Sequence, residues 1–96
     1  MSKPSFDKDG YPTEETLEYI KNYQEAPLTL IEYVLAAWHW PEYAKWEPPI
    51  LELHTGGWSG NEEIIQALME SKSLFWNFFW QKSERGGHYY FEVSNA

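Results

Sequence analysis

Cysteine is absent from this 96-residue chain, arginine occurs once, and seven basic side chains face fifteen acidic ones. The missing thiols exclude a disulfide framework, a thiolate metal site and a cysteine nucleophile, and they lean toward a reducing compartment. The shortage of positive charge leaves a formal net charge of −8. Long-range forces then oppose phosphate backbones and anionic membranes, so no direct nucleic-acid binding is expected. No apolar run approaches the roughly 20 residues that span a bilayer. The opening residues, Met1 to Gly10, lack the apolar centre of a signal peptide. A soluble cytoplasmic protein without membrane contact is expected. Its length suits one domain that buries roughly two thirds of its unfolded surface.

What the chain has in abundance is aromatic surface: 19% of its residues are Phe, Trp or Tyr. They concentrate in residues 74–93, LFWNFFWQKSERGGHYYFEV. A segment this rich either builds the core of a small domain or presents a recognition face. The acidity also has two readings. It serves solubility alone, or it provides an acidic surface that docks on a basic partner.

Residues 1–12, with Pro4, Gly10 and Pro12 among charges, read as a flexible N-terminal arm ahead of a single domain over 13–96. Thr13 is a candidate cap for a first helix over 13–24, with Glu14 and Glu15 complementing its dipole. Residues 28–39 place Leu30, Ile31, Val34, Leu35 and Trp38 at helical spacing, a core-facing stripe. Pro41 ends that helix, and the connector PEYAKWEPP is expected to run irregularly over the surface.

Residues 50–55 alternate Leu51 and Leu53 against Glu52 and His54, the period of a half-buried strand. Ser59 to Glu62 has the form of a capping box, which predicts a third helix over 60–70 with Ile64, Ile65 and Leu68 inward. Two further strands, 74–82 and 88–93, are joined through Glu84-Arg85-Gly86-Gly87, whose glycines suit a tight hairpin. Neither face of 74–81 is simply polar, so both sides of the sheet are expected to be covered. The fold class is therefore α+β: a small three-stranded, mainly antiparallel sheet packed with three helices. Whether the 50–55 strand lies beside 74–82 or beside 88–93 stays open.

Three sets of residues are candidates for chemistry or binding. The loop Gly56-Gly57-Trp58-Ser59-Gly60-Asn61 feeds a helix start, where free amides can receive an anion while Trp58 stacks on a flat ring. The plainer reading makes Ser59 a cap and the glycines a turn. The loop also lacks the lysine and spacing of a nucleotide triphosphate loop. His54, His88 and Tyr90 share one sheet face with Glu52 and Glu92, a set that suits acid and base work. Yet no third histidine follows at ligand spacing, so solvated strand residues are the default and no metal or cofactor is expected. Arg85, the sole arginine, stands at the hairpin tip as a possible carboxylate or phosphate fork, or as an ordinary turn residue. Beyond these, Trp40, Tyr43, Trp46 and Trp58 exceed what a core of this size absorbs, which points to an oligomer interface, a partner interface or a stacking pocket. No nucleophile elbow is present.

The segments Asp9 to Leu17, Gly56 to Glu62 and Arg85 to Tyr89 resemble those of small uncharacterised bacteriophage and prophage proteins. The resemblance implies an accessory protein made in the cytoplasm of a bacterial host, of a kind that often inhibits host defences. It assigns no activity to any residue. The leading expectation is a non-catalytic, homo-oligomeric binding protein that occupies a basic surface of a host protein. The first alternative is a sponge for a small nucleotide-type ligand, held by Trp58, the Gly56–Asn61 loop and Arg85. The second is a small hydrolase using His54 and His88.

Overall fold

The computed structural model describes residues 3–93 as an α+β fold. Helix α1 spans Glu14–Asn22 and begins as expected, with Thr13 Oγ1 accepting the backbone N–H of Thr16 at 3.2 Å. Helix α2, Pro27–Ala37, starts with proline in its first position, where no amide donor is lost. It buries Leu30, Ile31, Val34 and Ala37, with Trp38 just beyond its end, while Leu35 is only half-buried. Helix α3, Ser59–Met69, turns Ile64, Ile65 and Leu68 inward.

The connector after α2 departs from the expected irregular path. Pro41–Tyr43 makes one 3₁₀ turn, and Ala44–Glu47 then forms strand β1, paired antiparallel with β2, Ile50–His54. The prolines do not interrupt this pairing because Pro48 and Pro49 fall in the hairpin turn, where no ladder donor is required. Ala44 and Trp46 face inward and Lys45 and Glu47 outward, a period of two hidden by the short length of the segment.

A second correction concerns the aromatic run. The expected strand over 74–82 is a short helix α4, Phe75–Phe79, followed by strand β3, Trp80–Glu84. The helix lets Phe75 and Phe79, one turn apart, meet at 5.1 Å while Phe75 reaches Phe91 at 5.4 Å. Strand β4, His88–Glu92, completes a four-stranded, all-antiparallel sheet of order β1-β2-β4-β3, one strand more than expected. The 50–54 strand therefore lies beside 88–92, with Leu51 opposite Phe91 and His54 opposite His88.

The sheet has one apolar and one polar face, contrary to the expectation that both are covered. Leu51, Leu53, Phe91 and the partly buried Trp46 and Tyr89 belong to the core cluster with the helices. Across β4, Glu52 sits opposite Tyr90, and Lys82 and Glu84 pair with Tyr90 and His88, so the other face is polar and partly solvated. The segment before α1, read from sequence as an arm, doubles back in a turn. Ser5 N–H donates to Thr16 Oγ1 at 2.8 Å, and Asp7 Oδ1 accepts from Asp9 and Tyr11 amides at 2.9 and 3.0 Å. That turn delivers Tyr11 to the start of α3.

Candidate functional site: an aromatic cluster at the start of the third helix

The chain leaves α2 through Trp38, whose indole N–H donates to the His54 carbonyl at 3.2 Å. His39 is then fixed by Asn61. The Asn61 side chain accepts from His39 N–H at 3.0 Å and donates to the carbonyls of His39 at 3.1 Å and Thr55 at 3.4 Å. Asn61 is 0% exposed, so these bonds satisfy an amide that would otherwise be desolvated without partners. Trp40 follows with a φ of 61°, a left-handed conformation that turns the chain sharply into Pro41.

This local path gathers aromatic rings around Trp58. His39 lies 4.4 Å from it between ring centroids, Tyr11 4.7 Å and Trp40 6.2 Å, and Tyr43 extends the group at 5.5 Å from Trp40. Two glycines make room. At Gly56, where φ is 65°, a Cβ would press on Tyr43 and Trp40 at 2.7 and 2.8 Å; at Gly60 it would overlap the Trp58 ring. The outward parts of the cluster stay wet, with Trp40 37% and Tyr43 41% exposed and Trp58 half-buried.

Ser59 does not cap α3. Trp58 holds the N-cap position, its carbonyl accepting from Asn61 and Glu62 amides at 3.1 and 3.2 Å, and the Ser59 hydroxyl is 3.0 Å from the Tyr11 hydroxyl instead. The predicted residues Trp58, Ser59 and Asn61 thus come together in distinct roles: half-buried platform, tether to Tyr11 and buried staple.

His54, His88 and Tyr90 gather on the polar sheet face, as expected from strand alternation. The two histidine Nδ1 atoms are 2.7 Å apart, and His54 Nε2 is 3.4 Å from Glu52 Oε1. The Tyr90 hydroxyl donates to Glu84 Oε1 at 2.9 Å. That bond holds the Glu84 carboxyl below its usual range, helped by nearby Lys82, and is the main cause that pushes the Tyr90 phenol up. Among the described residues no three His, Cys, Asp or Glu side chains are grouped so as to hold a metal ion. No serine hydroxyl is within hydrogen-bond distance of a histidine ring among them.

Arg85 is exposed at the hairpin tip and makes no ion pair within the described residues; the neighbouring Glu84 pairs with Lys82 at 3.5 Å. The tip itself adjoins the Trp58 loop, since Thr55 N–H donates to the Gly87 carbonyl at 2.9 Å while Gly57 N–H donates to Thr55 Oγ1 at 3.3 Å. Trp46 does not join these candidates: it packs from β1 against the core, away from the polar face. The sequence places Tyr11 in the arm and gives no sign of its part in the cluster beyond Gly10 and Pro12, the turn signal on either side of it.

No protein-family model, characterised protein or solved structure matches this chain. No helix among the described residues is long and apolar enough to cross a membrane.

Proposed function

We propose that this chain is a non-catalytic acidic binding protein, an accessory inhibitor of the phage type that occupies a basic surface of a bacterial host protein. The observation that carries the reading is the ring cluster of Tyr11, His39, Trp40, Tyr43 and Trp58, half-exposed yet braced from beneath by the buried Asn61. Aromatic side chains fixed before binding lose little conformational entropy on association, which suits them to act as hot spots. The charge of −8 steers such a platform toward positive partners.

A sponge for a nucleotide-type ligand has less support. The Asn61 side chain is wholly buried and its amide donates to the His39 and Thr55 carbonyls, so it presents no free donor to a phosphate.

Homo-oligomer formation is part of the proposal. Its support is the edge strand β3, exposed along its length, with Leu74 and Phe78 beside it at 50% and 70% exposure. The test of the function is the association rate with the host partner across a salt series, for the wild type and for Trp40→Ala/Tyr43→Ala. The expected result is a rate that falls steeply with salt and a complex that dissociates at least about tenfold faster in the variant. A salt-independent rate with an unaltered variant overturns the reading.

A further inference from the structure

Helices α1 and α2 bring together a second aromatic feature, separate from the Trp58 cluster. Tyr19 and Tyr33 stack at 4.2 Å between centroids with planes 25° apart, and Tyr23 meets Tyr19 at 5.7 Å. A cavity of about 330 Å³ is lined by all three residues; Tyr23 and Tyr33 are only 6% and 7% exposed, and the half-buried Tyr19 offers the most accessible ring. Glu25, Glu32 and Lys3 also line it, all three exposed. A second hollow, lined by Glu15, Glu18 and again Lys3, lies against Tyr19 and Tyr33. The first cavity lies at the lower end of the size range of small-ligand pockets.

Three tyrosine rings and two carboxylates have one chemistry in common. Ring faces carry negative quadrupole potential, and carboxylates add full negative charge, so both favour a cation and neither favours an anion. A planar guanidinium suits the pair best, because it stacks on an aromatic face while its N–H fork reaches a carboxylate. The Tyr23 hydroxyl is already committed to the Ala26 carbonyl at 3.1 Å.

We infer that the groove of Tyr19, Tyr23 and Tyr33, flanked by Glu25 and Glu32, is a binding site for an arginine side chain of a protein partner. The site shares no lining residue with the Trp58 cluster, so the inference goes beyond the proposed function and stands without it. Lys3 lines the same groove as a rival positive charge, and its removal is expected to strengthen binding.

The test is an NMR titration of the full chain with N-acetyl-arginine methylamide, following the tyrosine ring signals, with the neutral citrulline analogue alongside. Saturable shifts of the Tyr19, Tyr23 and Tyr33 rings are expected with the arginine compound and none with citrulline. Glu25→Gln/Glu32→Gln, which alters only exposed side chains, and Tyr19→Ala should each weaken binding about fivefold or more. Lys3→Ala should tighten it. Trp40→Ala/Tyr43→Ala should bind the arginine compound as the wild type does, so failure of the Trp58 reading leaves this result intact. Equal response to citrulline, no saturable ring shift, or full affinity in the glutamine variant overturns the inference.

Discussion

The Nδ1 atoms of His54 and His88 stand 2.7 Å apart across paired strands. That distance is a hydrogen bond, so one ring must donate and the other accept there. Because His54 Nε2 faces Glu52 at 3.4 Å, the consistent neutral arrangement has the His54 proton on Nε2 and the His88 proton on Nδ1. Long-range nitrogen–proton correlation spectra above the imidazole titration range should show opposite tautomers in the two rings. Identical tautomers would refute the pairing.

Gly60 offers a prediction whose sign opposes helix propensity. Ala normally stabilises a helix interior over Gly by about 1 kcal/mol. A Cβ here overlaps the Trp58 ring, which Tyr11 and His39 hold in place, so Gly60→Ala is expected to destabilise by about 1–3 kcal/mol. In a Trp58→Ala background the overlap is gone, and the same change should become neutral or stabilising. Chemical denaturation of the four chains measures this coupling.

Asn61→Ala removes three hydrogen bonds from a fully buried position. His39 loses the partner of its N–H and of its carbonyl, while the Thr55 carbonyl keeps the Trp58 amide at 3.2 Å, and stability should fall by about 2–3 kcal/mol. The fluorescence of the Trp40 and Trp58 environment should change at the same time, since Asn61 sets the path that brings His39 and Trp40 to Trp58. A stable variant with unaltered emission would refute the staple.

The Tyr90 to Glu84 bond makes a prediction about pH. The folded Glu84 titration is lowered, chiefly by this bond, so its contribution is present above the unfolded carboxylate value and is lost as pH falls through the folded value. Tyr90 is raised, chiefly by the same bond; its contribution is present below the unfolded phenol value and is lost as pH rises through the folded one. Tyr90→Phe should move the Glu84 titration up toward the ordinary carboxylate range, read by carboxyl carbon shifts. Both groups are at the surface, so the melting temperature should hardly respond.

Phe78 is the most exposed large apolar side chain described, at 70%. Phe78→Ser should leave stability within about 0.5 kcal/mol. Its expected effect is on assembly: sedimentation velocity should show the variant shifted toward monomer at concentrations where the wild type associates. An equal distribution for both chains would remove this face from the proposed homo-oligomer.

The sequence made some of this legible because one contact dominated locally. In α2 the spacing of Leu30, Ile31 and Val34 leaves little choice, and in β4 alternation alone separates Phe91 from Tyr90. It failed where tertiary packing chose between two allowed local forms. Phe75 to Phe79 has the composition of a strand, and the helix forms because Phe75 and Phe79 then share the core with Phe91. β1 was hidden by prolines that mark its turn rather than exclude it. At the site, Trp58 was readable as a surplus aromatic, whereas the part played by Asn61 depends on His39 and Thr55, which no local pattern connects to it.

The strand order has a kinetic consequence. β1 with β2 and β3 with β4 are each hairpins of near neighbours, but the seam between β2 and β4 joins residues at least 34 positions apart, as at His54 and His88. Closing that seam carries the largest loop entropy in the sheet, so two quickly formed hairpins are expected to wait for one slow docking step. The imidazole pair stands at the end of this seam where the separation along the chain is shortest, the position from which the pairing of the two hairpins is least costly to begin.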